Sequence, residues 1–183
     1  MEKKILFVIG SLRKRSFNLN LAKYVEGVIG DKAEVEYLNF EDIPYMNQDI
    51  EFPVPSEIAA VREKVSQADG LWIFSPEYNG AIPGVLKNLL DWLSRPLIQY
   101  DFQGPSAVHE KKVTISGVAG GSAAANVRKQ LAALLPFIRM NLIGGEGTGV
   151  SLTAESFQTD ELQLDDEVKF LLNKQIEEFM KEI

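Results

Sequence analysis

Apolar and polar positions fall in blocks along the chain, and the period of the pattern changes from block to block. Ile5-Leu6-Phe7-Val8-Ile9 is an unbroken apolar run of β-forming residues, as a strand covered on both faces requires. Leu21, Ala22, Val25, Val28 and Ile29 then recur at helical spacing. Val35 and Tyr37 alternate with Glu34 and Glu36, which predicts a strand nearer the edge of a sheet. Ile58, Val61, Val65 and Ala68 mark one face of a second helix. Leu71-Trp72-Ile73-Phe74, entered through Gly70, predicts another buried strand.

Pro83 suits the first turn of a helix, where its missing N–H costs nothing, and the pattern carries that helix to about Leu93, before Pro96. Val113-Thr114-Ile115 predicts a fourth strand, with a helix from about Ala123 to Leu135 behind it. Met140 to Ile143 predicts a short fifth strand, and Gly144 to Gly149 with the polar stretch to Asp166 reads as loop. A last helix places Val168, Leu171, Leu172, Ile176, Phe179 and Met180 on its inner face. There is no linker, repeat or low-complexity block. Five β/α alternations predict an α/β protein, a doubly wound five-stranded parallel sheet with helices on both faces, as one domain over residues 1–183.

Composition narrows the chemistry. Among 183 residues, 19 Lys+Arg against 26 Asp+Glu give a net charge of 19 − 26 = −7. That balance argues against a nucleic-acid partner, which needs a basic face. Arg13, Lys14 and Arg15 cluster early, and three charges suit a ligand loop better than a DNA surface. No apolar run approaches the roughly 20 residues of a membrane span, and the apolar stretch after the charged start is too short for a signal peptide. No membrane partner and a cytoplasmic location are therefore expected. The chain has no cysteine, which removes disulfides, thiolate metal sites and cysteine nucleophiles. Its single histidine, His109, removes multi-histidine metal sites and leaves little for a catalytic triad. No metal site is expected, and His109 reads as a solvated surface residue. With so poor an inventory, a bound cofactor is expected to carry any catalysis, and no side chain is assigned as catalytic.

In a doubly wound sheet, ligands bind beyond the carboxyl ends of the strands where the winding reverses. Three loops follow such strands. The first, Gly10 to Asn18, offers Ser11, Ser16 and Asn18 as short hydrogen-bonding side chains, Arg13 as a charged partner, and the positive end of a helix. This suits a terminal phosphate, and the loop's place after the first strand agrees with that chemistry; the alternative is that Ser16 or Asn18 merely caps the helix with Arg13 in solvent. The second, Ser75 to Gly84, has two prolines that fix the backbone; Tyr78 supplies an aromatic edge and Asn79 a polar group. Taken alone it could be a plain turn, but after a buried strand and facing the first loop it reads as the wall of a planar cofactor site. The third, Ser116-Gly117-Val118-Ala119-Gly120-Gly121-Ser122, would let backbone N–H groups converge on a carbonyl or an anion, or serve as a flexible connection. No Gly-x-x-x-x-Gly-Lys-Ser/Thr occurs, and Gly145-x-Gly147-x-x-Val150 misses the dinucleotide fingerprint at its last position.

Gly10-Ser11-Leu12-Arg13-x-x-Ser16-x-Asn18 and Ser75-Pro76-Glu77-Tyr78-Asn79-Gly80-x-x-Pro83-Gly84-Val85-Leu86-Lys87-Asn88-x-x-Asp91-Trp92-x-Ser94-Arg95 resemble the NADPH-dependent FMN reductases. That flavodoxin-like group includes quinone, chromate and azo-dye reductases. The resemblance spans nearly the whole chain and implies bound FMN, with NADPH or NADH as donor. By this likeness Ser11, Arg13, Ser16 and Asn18 would hold the FMN phosphate. Pro76, Glu77, Tyr78, Asn79 and Gly80 would line the isoalloxazine, and Ser116, Gly117, Gly120 and Gly121 would border its pyrimidine side. The family's third loop often continues with Gly-Gly and an Arg, where this chain has Ala123-Ala124 and Asn126. The implied reaction passes hydride from the nicotinamide to bound FMN and then to a quinone, azo or nitro compound, chromate or free flavin, in a ping-pong cycle. Members are usually homodimers or homotetramers. Trp92 reads as helix packing, and Asp91 and Arg95 as ion-pair residues at the helix end or a subunit interface, with contact to a nucleotide phosphate as the alternative for Arg95.

Two other readings stand beside this one. A flavodoxin-type electron carrier would bind FMN without meeting NADPH, and its acidic surface would suit docking to a redox partner. A flavin-free interaction protein on the same fold is the third.

Overall fold

A computed structural model describes residues 3–183. The elements run β1 (Lys4–Ile9), α1 (Phe17–Ile29), β2 (Glu34–Tyr37), α2 (Ser56–Gln67), β3 (Gly70–Ser75), α3 (Gly84–Leu93), β4 (Lys112–Ala119), α4 (Ala125–Phe137), β5 (Asn141–Leu142), β6 (Thr148–Ser151), α5 (Ala154–Thr159) and α6 (Asp166–Glu182). Every strand pairing is parallel, in the order β2-β1-β3-β4-β5, with β6 also paired to β4. β5 and β6 therefore share the fifth position. β5 lies beside Lys112 and Val113, and β6 beside Ser116 to Ala119.

Strand alternation divides the core in two. Leu6, Val8, Leu71, Ile73, Val113 and Ile115 face one side, under α2, α3 and α4. Ile5, Phe7, Trp72 and Phe74 face the other, under α1 and α6. The central strands are buried on both faces, which is why they read as continuous apolar runs. β1 and β3 are neighbours although α1, β2 and α2 lie between them in sequence. The winding reverses there, and a crevice opens beyond their carboxyl ends. Gly10 N donates to Phe74 O at 2.8 Å and holds the first loop against the third strand at that point.

The structure departs from the sequence pattern at three places. The fourth strand continues to Ala119, so Ser116 and Gly117 lie inside it, paired with Phe74 and Ser75 on one side and Thr148 and Gly149 on the other. The fifth strand is split, because the chain leaves the sheet edge after Leu142 and rejoins it at Thr148, within the segment read as loop. The amide of Gln175 on α6 fills the gap. It donates to Ile115 O at 2.7 Å and Thr114 Oγ1 at 2.8 Å, and it accepts from Thr148 N at 3.1 Å. The inner face of α6 is Leu172, Gln175, Ile176 and Phe179, whereas Leu171 is 44% exposed. One residue is a rotation of about 100°, which carries Leu171 off the stripe set by its neighbour.

Candidate active site

The loops after β1, β3 and β4 enclose a cavity of about 240 Å³. Ser11, Arg13, Ser16, Phe17 and Asn18 line it from the first loop, Pro76, Glu77 and Tyr78 from the second, and Val118, Ala119 and Gly120 from the end of β4. Leu152 and Phe157 close the remaining side, from the segment around α5.

Ser16 is the N-cap residue of α1, buried, and its side chain makes no capping bond. The first N–H groups of a helix have no partner within it, so this end of α1 presents donors beside the cavity. Asn18 does not cap either. Its side chain donates to Val118 O at 3.1 Å and accepts from Val118 N at 2.9 Å, sewing the first loop to the end of β4. Arg13 pairs with the Asp160 carboxylate, and Arg15 Nε lies 2.9 Å from the second oxygen of the same group. The Arg13 guanidinium also sits 5.3 Å from the centre of the Phe17 ring, which meets Phe157 edge-on. The hydrogen bond from Arg13 holds the Asp160 carboxyl below its ordinary value, against desolvation and helped by the charges of Arg13 and Arg15.

Glu77 lines the cavity but directs its carboxylate to the start of α4. It accepts from Asn126 N at 2.9 Å, Val127 N at 3.1 Å and Asn126 Nδ2 at 3.2 Å. Ala124, the N-cap residue there, has no side-chain oxygen to offer, so Glu77 supplies the cap from another loop. Desolvation pushes its carboxyl up, and the hydrogen bonds from Val127, Asn126 and Ser122 together bring it below its usual value. Tyr78 and Ala81 exchange backbone bonds across Asn79 and Gly80, both at positive φ, as a two-residue hairpin turn requires.

The structure thus gathers Ser11, Arg13, Ser16, Asn18, Pro76, Glu77, Tyr78 and Gly120 at one cavity. Asn79, Gly80 and Gly121 lie in the same loops but outside its lining. Ser116 stands apart, because its hydroxyl accepts from Trp72 Nε1 at 3.1 Å and donates to Gln175 at 3.2 Å in the core. Gly117 is small for packing. A Cβ there would meet the Ala124 methyl at 2.8 Å and Ser75 O at 2.7 Å. Further along the second motif, Asn88 Nδ2 and Trp92 Nε1 both donate to Pro44 O, at 3.0 and 2.8 Å, and Arg95 pairs bidentately with buried Glu51 at 2.8 and 2.9 Å. His109 precedes β4 and so lies at the opposite end of the sheet from the cavity.

The family model for NADPH-dependent FMN reductases matches residues 3–155. The chain belongs to the NADPH-dependent FMN reductase family. A 2-hydroxy-1,4-benzoquinone reductase of Burkholderia is 36% identical over 142 residues, 77% of this chain and 76% of the relative. An NAD(P)H-dependent FMN reductase of Pseudomonas aeruginosa is 29% identical over 175 residues, 95% and 91% of the two chains. The solved structure of FerB, a flavoenzyme NAD(P)H:(acceptor) oxidoreductase from Paracoccus denitrificans, shares the fold with a TM-score of 0.83 at 24% identity, over 98% of this chain and 96% of that one.

The cavity and its ion pair also draw on residues that the motifs did not mark. Leu152, Phe157 and Asp160 were hidden in a stretch that reads as loop. One local signal is present there, since Thr153 caps α5 by accepting from Ser156 N at 3.1 Å, and a Thr with an acidic residue such as Glu155 in the turn after it is a helix-start pattern. No helix among the described residues is long and apolar enough to cross a membrane.

Proposed function

We propose that this chain is an FMN-containing NAD(P)H:quinone oxidoreductase acting as one domain. The observation that carries the reading is the cavity itself, with Arg13 and helix N–H groups at one end and the second and third loops with apolar side chains along the rest. Such a donor set fits a phosphate joined to a flat ring system. Bound FMN would supply the redox chemistry, taking hydride from NADPH or NADH and passing electrons to a quinone, azo or nitro compound, chromate or free flavin in a ping-pong cycle.

The chain's residues would bind and orient. Arg13, Ser11, Ser16 and the main-chain N–H groups at the start of α1 would hold the phosphate. Asn18 would act from behind, by fixing those groups to Val118. Pro76, Glu77 and Tyr78 would flank the ring, with Asn79 and Gly80 shaping the turn. Gly120 and Gly121 would offer main-chain donors toward its polar edge, stabilising negative charge without a titrating base. Ser116 and Gly117 would serve only to build β4. A quinone is the acceptor class favoured by the relatives' names.

A homodimer or homotetramer goes with this reading. Tyr45, Ile98, Tyr100 and Phe102, at 85%, 64%, 78% and 67% exposure, are the apolar surface that a second copy would cover. A cytoplasmic site of action goes with the need for reduced nicotinamide. The deciding experiment is a visible spectrum of the protein after incubation with FMN and desalting, repeated under anaerobic NADPH. Flavin bands that bleach support the reading. Bands that persist would favour an electron carrier, and the absence of bands would remove the cofactor. Parallel lines in initial-rate plots with NADPH and benzoquinone would support the ping-pong cycle.

A further inference from the structure

Asp160 stands 147 residues from Arg13 in sequence and beyond the part of the chain matched to the family. Its carboxylate nevertheless sits between the two arginines of the first loop, bonded to Arg13 and 2.9 Å from Arg15 Nε. One of its oxygens is buried and makes no hydrogen bond, although Arg15 faces it. The residue ends α5 in the left-handed region at φ +60. The same short helix carries Phe157 into the cavity wall. Carboxylate and phosphate ask for the same partners, since both are oxyanions that take guanidinium N–H groups in pairs.

We propose that Asp160 is an internal counter-anion for the first loop, competing with a ligand's phosphate for Arg13 and so setting the preference for phosphorylated over unphosphorylated flavin. The inference rests on the phosphate assignment made above. A phosphate brought to Arg13 meets a carboxylate already holding it. Either the ion pair opens, or two like charges share the Arg13 guanidinium, and both outcomes lower affinity. The effect belongs to the phosphate end alone, so riboflavin, which lacks that group, would not feel it.

The test compares full-length wild type with Asp160→Asn, Asp160→Gly and Arg13→Ala, each freed of flavin, by titrating FMN and riboflavin and following quenching of flavin fluorescence. Asn and Gly both tolerate the left-handed backbone, so two variants guard against misfolding, and thermal melts check it. Both Asp160 variants are expected to bind FMN about tenfold tighter with riboflavin unchanged. Unchanged or weaker FMN binding overturns the inference, as does equal tightening of both flavins, which would mean a steric wall. Arg13→Ala separates the two levels. If it weakens FMN while the Asp160 variants do nothing, only the counter-anion is lost; if it too leaves FMN unchanged, the phosphate assignment fails with it.

Discussion

The side-chain amide of Gln175 donates to the main-chain carbonyl of Ile115 at 2.7 Å, from a helix into the middle of a sheet. It stands in for a strand at the break between β5 and β6, where Ile115 O and Thr148 N would otherwise be buried without partners. Unpaired buried backbone groups cost about 1–3 kcal/mol each. Gln175→Leu, similar in size and without the amide, is expected to lose about 2–4 kcal/mol of unfolding free energy. Urea unfolding followed by circular dichroism measures it, and a loss below about 0.5 kcal/mol would mean that the ladder heals without the amide.

Gly147 approaches the same carbonyl. A Cβ on it would lie 1.8 Å from Ile115 O, whereas one on Gly145 would meet nothing within 4 Å. Both residues have positive φ, at +62 and +59. Gly147→Ala adds a clash with fixed backbone to the strain that Gly145→Ala bears alone, about 1 kcal/mol. Thermal melts should show a modest shift for Gly145→Ala and a large one, or loss of soluble protein, for Gly147→Ala.

Asn18 and Arg13 belong to one loop and should respond differently. Asn18→Ala removes two bonds to Val118 and is expected to cost about 2 kcal/mol of stability, with weaker FMN binding as a consequence. Arg13→Ala removes an exposed ion pair and should leave the melting temperature nearly unchanged while weakening FMN. Calorimetry and flavin titration on both variants give the comparison, and equal melting temperatures would remove the structural role from Asn18.

Glu77 ties stability to pH. Its carboxyl lies below the usual value in the folded chain, so the folded state favours the ionised form. The stabilisation is present above the unfolded value, about 4.3, and is lost as pH falls through the folded one. Glu77→Gln should be less stable than wild type by about 1 kcal/mol at pH 7, and the two should converge toward pH 3. Denaturant midpoints across that range check it, and a constant gap would assign the loss to packing instead of charge.

The sequence alone determined the layering of this protein and the loops that matter. Buried strands such as Ile5 to Ile9 and Leu71 to Phe74 are apolar because both faces are covered, and amphipathic helices between them keep one face in water. Those periods are local, so they can be read along the chain. The order of strands then directs attention to the loops after β1, β3 and β4, and Ser11, Arg13, Ser16, Asn18 and Pro76 to Tyr78 do meet at one cavity. Tertiary structure alone decided what each polar side chain faces. Asn18 is spent on Val118, Glu77 on the start of α4, Arg13 on Asp160 and Gln175 on the broken edge of the sheet. These partners are separated by 49 to 147 residues, and no period in the sequence encodes such distances. A hydrogen bond joins whichever donor and acceptor the packed core leaves within about 3 Å of one another.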